Sequence, residues 1–214
     1  MAKLYLMDLQ PYDGGSWREL LPELSPERQQ KAITCRFDHD KARAAGAGWL
    51  LQYALLQEQI PRERQILAKT DLGKPYLPEY PHVHISLSHS GRWVVCAVSQ
   101  EPVGVDVELP RCTLDIGRRF FQTEELVGLE QLPYAQCRKQ LNRLWTAKEA
   151  FVKALGGGLT IPLNSFTVRL REQGAELDQN LSPLPYRLHE YQPDVSQLCL
   201  CTTEDRPELI HVEP

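Results

Sequence analysis

The chain has 214 residues, 42% of them hydrophobic, and a formal charge of −4 from 24 Lys and Arg against 28 Asp and Glu, enough apolar side chains for one large core or two of about 100 residues each. The negative balance excludes a general nucleic-acid binder, whose affinity rests on excess Lys and Arg, so any anion site must be local. The opening MAKLYLMDL has no basic region leading into a long apolar stretch, and no window approaches the ~18 uninterrupted apolar residues of a membrane span; a cytoplasmic protein without membrane contact is expected.

Lys3 to Leu9 reads as a first strand, and Ser25-Pro26-Glu27 reads as a cap with Pro at the first helical position, so a helix follows Ser25. From Asp38 to about Gln59, Leu50, Leu51, Ala54 and Leu55 recur at helical spacing, and Ala44-Ala45-Gly46-Ala47-Gly48 permits close packing on a neighbour. This is the long helix of a first half, stopped by Pro61, after which Gly73-Lys74-Pro75 and Pro78 punctuate a loop. Val83 to Leu87, Trp93 to Val98 and Val103 to Glu108 are β-rich runs separated by Ser90-Gly91 and a polar turn at Gln100 to Pro102, which predicts a meander. Phe120 to Leu129 reads as a short helix. Arg138 to Leu155 reads as a second long one, with Leu141, Leu144, Trp145, Val152 and Leu155 on one stripe and Gly156-Gly157-Gly158 at its end. Weaker strand candidates follow at Ser165 to Leu170, Pro185 to Glu190 and Gln197 to Thr202.

Helix, long helix, strands therefore occurs twice, without a residue-level repeat. The expectation is an α+β fold of two similar lobes with pseudo-twofold symmetry, each a small antiparallel sheet packed with a long helix. The N-terminal lobe covers 1–102 and the C-terminal lobe 103–214, with the seam near Gln100 to Val103. The cysteines Cys35, Cys96, Cys112, Cys137, Cys199 and Cys201 contain no CxxC pair, so they encode neither a zinc ribbon nor a secreted disulfide framework and are expected as small core residues.

In Gly104-Val105-Asp106-Val107-Glu108 a strand turns Asp106 and Glu108 to one face and Val105 and Val107 to the other. Two carboxylates roughly 6–7 Å apart along a strand suit a hard cation such as Mg2+; the same residues also read as a solvent-facing acidic edge. Trp145, Glu149 and Lys153 lie four apart on the second long helix, which presents a third carboxylate and an ammonium together, or else a surface pair worth ~0.3–0.5 kcal/mol. Ser86-Leu87-Ser88-His89-Ser90-Gly91-Arg92 crowds hydroxyls, an imidazole and a guanidinium in a way that suits a phosphate, or serves a hairpin turn. His82-x-His84 resembles half a zinc site, but no Cys or His cluster completes it.

The ordered pair GVDVE and, about forty residues on, WTAKEAFVKALGGGL resembles the signature of the 4'-phosphopantetheinyl transferase superfamily. With the upstream Gly73-Lys74-Pro75 and SLSHSGRW, the resemblance spans roughly Arg36 to Leu159 and points to the larger, pseudo-dimeric members serving nonribosomal peptide and polyketide carrier proteins. It implies coenzyme A in a cleft between two α+β lobes of one monomeric chain. It implies Mg2+ held by Asp106, Glu108 and Glu149, with Lys153 beside the pyrophosphate. Arg43, Lys74 and His89 match positions that contact the nucleotide end, with Ser88 and Pro75 lining the same region. The implied reaction is that of a holo-[acyl-carrier-protein] synthase: a carrier serine, deprotonated by Glu149 directly or through water, takes 4'-phosphopantetheine and releases 3',5'-bisphosphoadenosine. An acidic residue after the pair Phe120-Phe121 is also implied, with Glu124 and Glu125 both open. The alternatives are a non-catalytic module binding coenzyme A or a carrier, and another Mg2+-dependent phosphoryl- or nucleotidyl-transfer enzyme.

Overall fold

A computed structural model describes residues 1–213, apart from the side chain of Leu159; Pro214, the last residue of the second expected lobe, lies outside the described residues. β1 (Lys3–Asp8) leads into 3-10 turns over Gln10–Glu23. Ser25 caps α1 (Pro26–Thr34) by accepting from the Arg28 amide at 3.4 Å, and α2 follows over Asp38–Gln57. β2 (Ala68–Lys69) and β3 (Pro75–Tyr76) form a small hairpin, and β4 (His84–Ser90), β5 (Trp93–Ser99) and β6 (Val103–Glu108) come next.

The short helix expected over Phe120 to Leu129 is instead two pieces, α3 (Leu114–Phe120) and α4 (Thr123–Leu126). Phe121 is extended at φ −104° and ψ 166°, and Gln122 opens α4 with a capping box closed by Glu125. α5 (Tyr134–Leu155) begins four residues before Arg138 because Pro133 occupies its N-cap position, and it ends at Gly156, left-handed at φ 80°. β7 (Thr167–Leu170), β8 (Ala175–Asp178), β9 (Arg187–Tyr191), β10 (Gln197–Thr202) and β11 (Glu208–Val212) complete the chain. β8 and β11 have no counterpart in the sequence expectation, since both are short and carry charged residues.

Besides the β2-β3 hairpin, two larger sheets result, in the orders β11-β1-β5-β4 and β6-β10-β9-β8-β7. The expected meander holds only for β4 and β5. β5 lies between β1 and β4, which leaves it no free edge for β6, so the turn after Ser99 carries the chain to the second sheet, where β6 pairs with β10. β11 returns to pair in parallel with β1, so the first sheet is mixed and includes residues beyond 103.

The central strands β1, β5, β6 and β10 are buried on both faces, and their period of two sorts their side chains into layers. Tyr5 and Met7 of β1 and Val94, Cys96 and Val98 of β5 pack against α2. Cys199 and Cys201 of β10 pack with Leu141, Leu144, Ala147 and Phe151 of α5. The alternate residues Leu4, Leu6, Val95, Ala97, Val103, Val105, Val107, Leu198 and Leu200 form a third cluster between the sheets. Each such Leu or Val side chain removed from water contributes roughly 1.5–3 kcal/mol before the entropy of ordering it. The result is helix, sheet, sheet, helix, with the two helix-on-sheet lobes joined through an apolar middle. Five of the six free cysteines are buried and Cys35 is half-buried. Among the described residues, no helix is long and apolar enough to cross a membrane.

Candidate active site where the second long helix crosses β6

Gly104, Asp106 and Glu108 share the face of β6 that meets α5. β10 pairs Cys201 with Gly104 and Cys199 with Asp106, and both cysteines belong to the core under α5. A Cβ at Gly104 would stand 2.0 Å from the Ala150 carbonyl oxygen and 2.3 Å from the Ala154 nitrogen. Only glycine lets the helix settle on the strand this closely. One step along β6, the contact brings Asp106 under Glu149 and Lys153.

Asp106 is buried. Its Oδ1 accepts from Lys153 Nζ at 2.7 Å and from Ser88 Oγ at 2.8 Å. Lys153 Nζ also donates to the Val105 carbonyl at 3.1 Å. Glu108 Oε2 accepts from Ser90 Oγ at 2.8 Å. Ser86 and Ser90 further accept the amides of Val105 and Leu109 at 3.0 and 3.2 Å. Alternate serines of β4 thus stitch the edge of the first sheet to β6, and two of them also hold the carboxylates. Ser90 was not singled out as a ligand holder in the sequence, although its spacing of two from Ser88 places it on the same face.

The site carries more negative charge than it neutralises. Burial and then the charge of Asp106 push the Glu149 carboxyl above its usual range, with Glu108 adding to the effect and Lys153 opposing it. Burial also raises Glu108, which the Ser90 hydroxyl counteracts and Asp106 reinforces. Asp106 Oδ2 and Glu149 Oε1 are buried without any hydrogen-bond partner. Buried carboxylate oxygens of this kind are costly unless a cation faces them, so the donor set fits a hard divalent ion. Among the described residues, no group of three or more His, Cys, Asp or Glu side chains is drawn together at metal-holding spacing, so an ion would pull these three closer than they stand. His82 and His84 form no such group either.

The remaining residues implied by the resemblance separate. His89 lies near the end of β4, on the face it shares with Ile85 and Leu87, where desolvation and then the charges of Arg43, Lys153 and Lys31 hold its pKa below the ordinary imidazole value. Arg43 projects from α2, donating from Nε to the Gly91 carbonyl at 3.1 Å and pairing with Asp40 at 3.2 Å. A cavity of about 720 Å³ opens between α1, α2 and the segment 62–69, walled by Arg28, Lys31, Lys69 and Pro75. Among the described residues, none of Arg28, Lys31 and Lys69 has a carboxylate within ion-pair distance. Burial pushes the Arg28 guanidinium down. The sequence reading missed these three; Arg28 and Lys31, spaced three apart on α1, were the available signal.

Lys74 departs from the expectation of a nucleotide contact. Its ammonium donates to the carbonyls of Lys153, Val103 and Ala154 at 2.7, 3.1 and 3.2 Å, which uses all three of its hydrogens. Burial pushes its pKa down to about 8. Nor does either Glu124 or Glu125 reach the carboxylate cluster. Glu124 is exposed, accepting from Thr167 Oγ1 at 3.0 Å. Glu125 pairs at 2.7 Å with Lys148, both fully buried, while Lys148 also donates to the Leu163 and Phe166 carbonyls at 2.8 Å.

Residues 102–201 match the profile of the 4'-phosphopantetheinyl transferase superfamily, and residues 10–101 match that of 4'-phosphopantetheinyl transferase, N-terminal. The chain is 35% identical over 196 residues to the 4'-phosphopantetheinyl transferase Sfp of Bacillus subtilis, covering 86% of this chain and 85% of that protein. It is 34% identical over 210 residues to the 4'-phosphopantetheinyl transferase psf-1 of Bacillus pumilus, covering 94% and 89%. A solved holo-(acyl-carrier-protein) synthase from Bacillus anthracis, in complex with CoA (3',5'-ADP), aligns with 47% of this chain and 92% of its own at a TM-score of 0.40 and 16% identity.

Proposed function

The chain belongs to the 4'-phosphopantetheinyl transferase superfamily and is an enzyme that modifies carrier proteins; we propose that coenzyme A donates the group, that a serine hydroxyl of an acyl or peptidyl carrier domain accepts it, and that the reaction takes place where α5 crosses β6. The observation that carries this reading is the cluster of Asp106, Glu108, Glu149 and Lys153 on that crossing, with two buried carboxylate oxygens left unpartnered.

In the proposed reaction the serine oxygen bonds to the β-phosphorus of coenzyme A, and the bond from that phosphorus to the bridging oxygen breaks. Phosphopantetheine stays on the serine and 3',5'-bisphosphoadenosine leaves with the bridging oxygen. Glu149 accepts the serine proton, directly or through water, and its raised pKa brings a carboxylate nearer the pH at which a base is both ionised and proton-seeking. Lys153 presents positive charge beside the pyrophosphate. A Mg2+ held by Asp106, Glu108 and Glu149 would supply charge neutralisation for the phosphoryl oxygens. Ser88 and Ser90 hold Asp106 and Glu108 in place on the face of β6 that meets α5.

The nucleotide end takes the cationic side of the cleft, with Arg43 and His89 at the 3'-phosphate and Pro75 lining the neighbouring cavity; Arg28, Lys31 and Lys69 extend this set. A local basic patch is how a chain of charge −4 attracts a polyanion. The lobe boundary is read at 102/103, with β11 returned to the first lobe. Both lobes lying in one chain supports a monomer, and six free cysteines support a reducing compartment such as the cytoplasm.

The test is transfer of a fluorescent group from its coenzyme A conjugate to a generic carrier domain, with and without Mg2+. Asp106→Ala and Glu149→Ala should abolish labelling while circular dichroism stays native. Near wild-type labelling by either would defeat the site, and binding without labelling by the wild type would indicate a non-catalytic module.

A further inference from the structure

Lys74 stands on the turn between β2 and β3, held by a bond from the Thr70 amide to its own carbonyl at 2.9 Å and by its amide donating to Thr70 Oγ1 at 3.1 Å. From this N-terminal hairpin the side chain crosses to the other lobe. Its three carbonyl partners are not a random set. Val103 is the first residue of β6, the strand of Asp106 and Glu108, while Lys153 and Ala154 form the last turn of α5, the helix of Glu149. Carbonyls in the last turn of a helix lack the partners that a further turn would supply and mark the negative end of its dipole; besides Lys74, the Lys153 carbonyl accepts from the capping Gly156 amide at 3.2 Å. A cation there satisfies both, and the Lys153 carbonyl belongs to the residue whose own ammonium meets Asp106 at 2.7 Å. Room for the crossing comes from Gly156, where a Cβ would meet Lys74 Cδ at 3.3 Å.

We propose that Lys74 is a positioning residue, an inter-lobe clasp that fastens the last turn of α5 to the start of β6 and thereby sets Lys153 on Asp106, rather than a ligand of the nucleotide phosphates. Every hydrogen of its ammonium is spent on protein carbonyls, so phosphate binding would first have to strip the helix end. The unpaired cations Arg28, Lys31 and Lys69 on the cavity wall serve phosphate at no such cost.

The clasp rests on the transferase reading only for its kinetic arm. Lysine acetylation of the wild-type protein, with coenzyme A present and absent, is the first measurement. Lys74 should react at least 10-fold more slowly than Lys69 in both conditions, whereas Lys31 should become protected only when coenzyme A is added. Lys74 reacting as fast as Lys69 and then becoming protected by coenzyme A overturns the clasp. Second, Lys74→Met keeps the stem and removes the charge. Hydrogen exchange over residues 152–157 should accelerate at least 10-fold, and kcat for carrier labelling should fall at least 10-fold with the Kd for coenzyme A, titrated without carrier, changed less than 3-fold. A rise of 10-fold in that Kd at unchanged kcat, or unchanged exchange, sinks the proposal. Should the wild type label no carrier, the transferase reading fails while acetylation and exchange still judge the clasp.

Discussion

Gly104→Ala adds one methyl group at the point where α5 and β6 touch, and its consequence can be followed atom by atom. The new Cβ would lie 2.0 Å from the Ala150 carbonyl oxygen, against the 3.4 Å at which van der Waals contact becomes ordinary, so helix and strand must part by about 1.4 Å. Neither obstacle is a flexible side chain; the carbonyl of Ala150 and the nitrogen of Ala154 are helix backbone. Overpacking of this kind costs ~1–3 kcal/mol, which lowers the Tm of a chain this size by roughly 2–12 °C. The catalytic loss should be larger. The 2.7 Å contact between Lys153 and Asp106 would open to about 4 Å, beyond a charge-assisted hydrogen bond, and misplacement on the order of 1 Å costs ~100-fold in rate. Calorimetry and the fluorescent transfer assay measure the two effects on one preparation. A variant that melts with the wild type and labels a carrier at the wild-type rate would refute the close-contact account of the site.

Lys148→Met should destabilise the protein by ~3–5 kcal/mol in urea titrations, because it leaves the buried Glu125 carboxylate without its cation, held only by the Gln122 and Val168 amides; adding Glu125→Gln should recover part of the loss, and a single variant as stable as wild type would contradict the pair. Glu149→Gln should lower transfer by ~100-fold or more yet stabilise the metal-free fold. The folded pKa of Glu149 is raised, so its contribution is favourable below the unfolded value and is lost as pH rises through the folded one. The variant should therefore melt above wild type at neutral pH, with the gap closing toward pH 4, and a gap that widens on acidification would reverse the sign of this argument.

Much of the fold was legible because its signals are local. The Ser25 cap, the helical spacing of Leu50, Leu51, Ala54 and Leu55, and the alternation of β6 each rest on neighbours a few residues away, and the structure has all three. The break at Phe121 and Gln122 was less visible, because the capping box that makes it depends on which of two adjacent glutamates turns inward. β11 was invisible for a different reason: its five residues become a strand only because β1 offers a free edge about 200 residues earlier in the chain.

The candidate site divides in the same way. That Asp106 and Glu108 share a face, and that Glu149 and Lys153 share another, follows from the periods of strand and helix and needed no tertiary information. Only the tertiary structure decided that those two faces meet, since the meeting depends on Gly104 lying under Ala150 and Ala154. It also gave different partners to two lysines that the resemblance places beside coenzyme A, Lys153 at the pyrophosphate and Lys74 at the nucleotide end. Lys153 reaches a carboxylate, whereas Lys74 is drawn away to the carbonyls at the end of α5. A side chain's charge is written in the sequence, but its partner is chosen by whichever distant backbone or carboxylate the fold leaves unsatisfied within its reach.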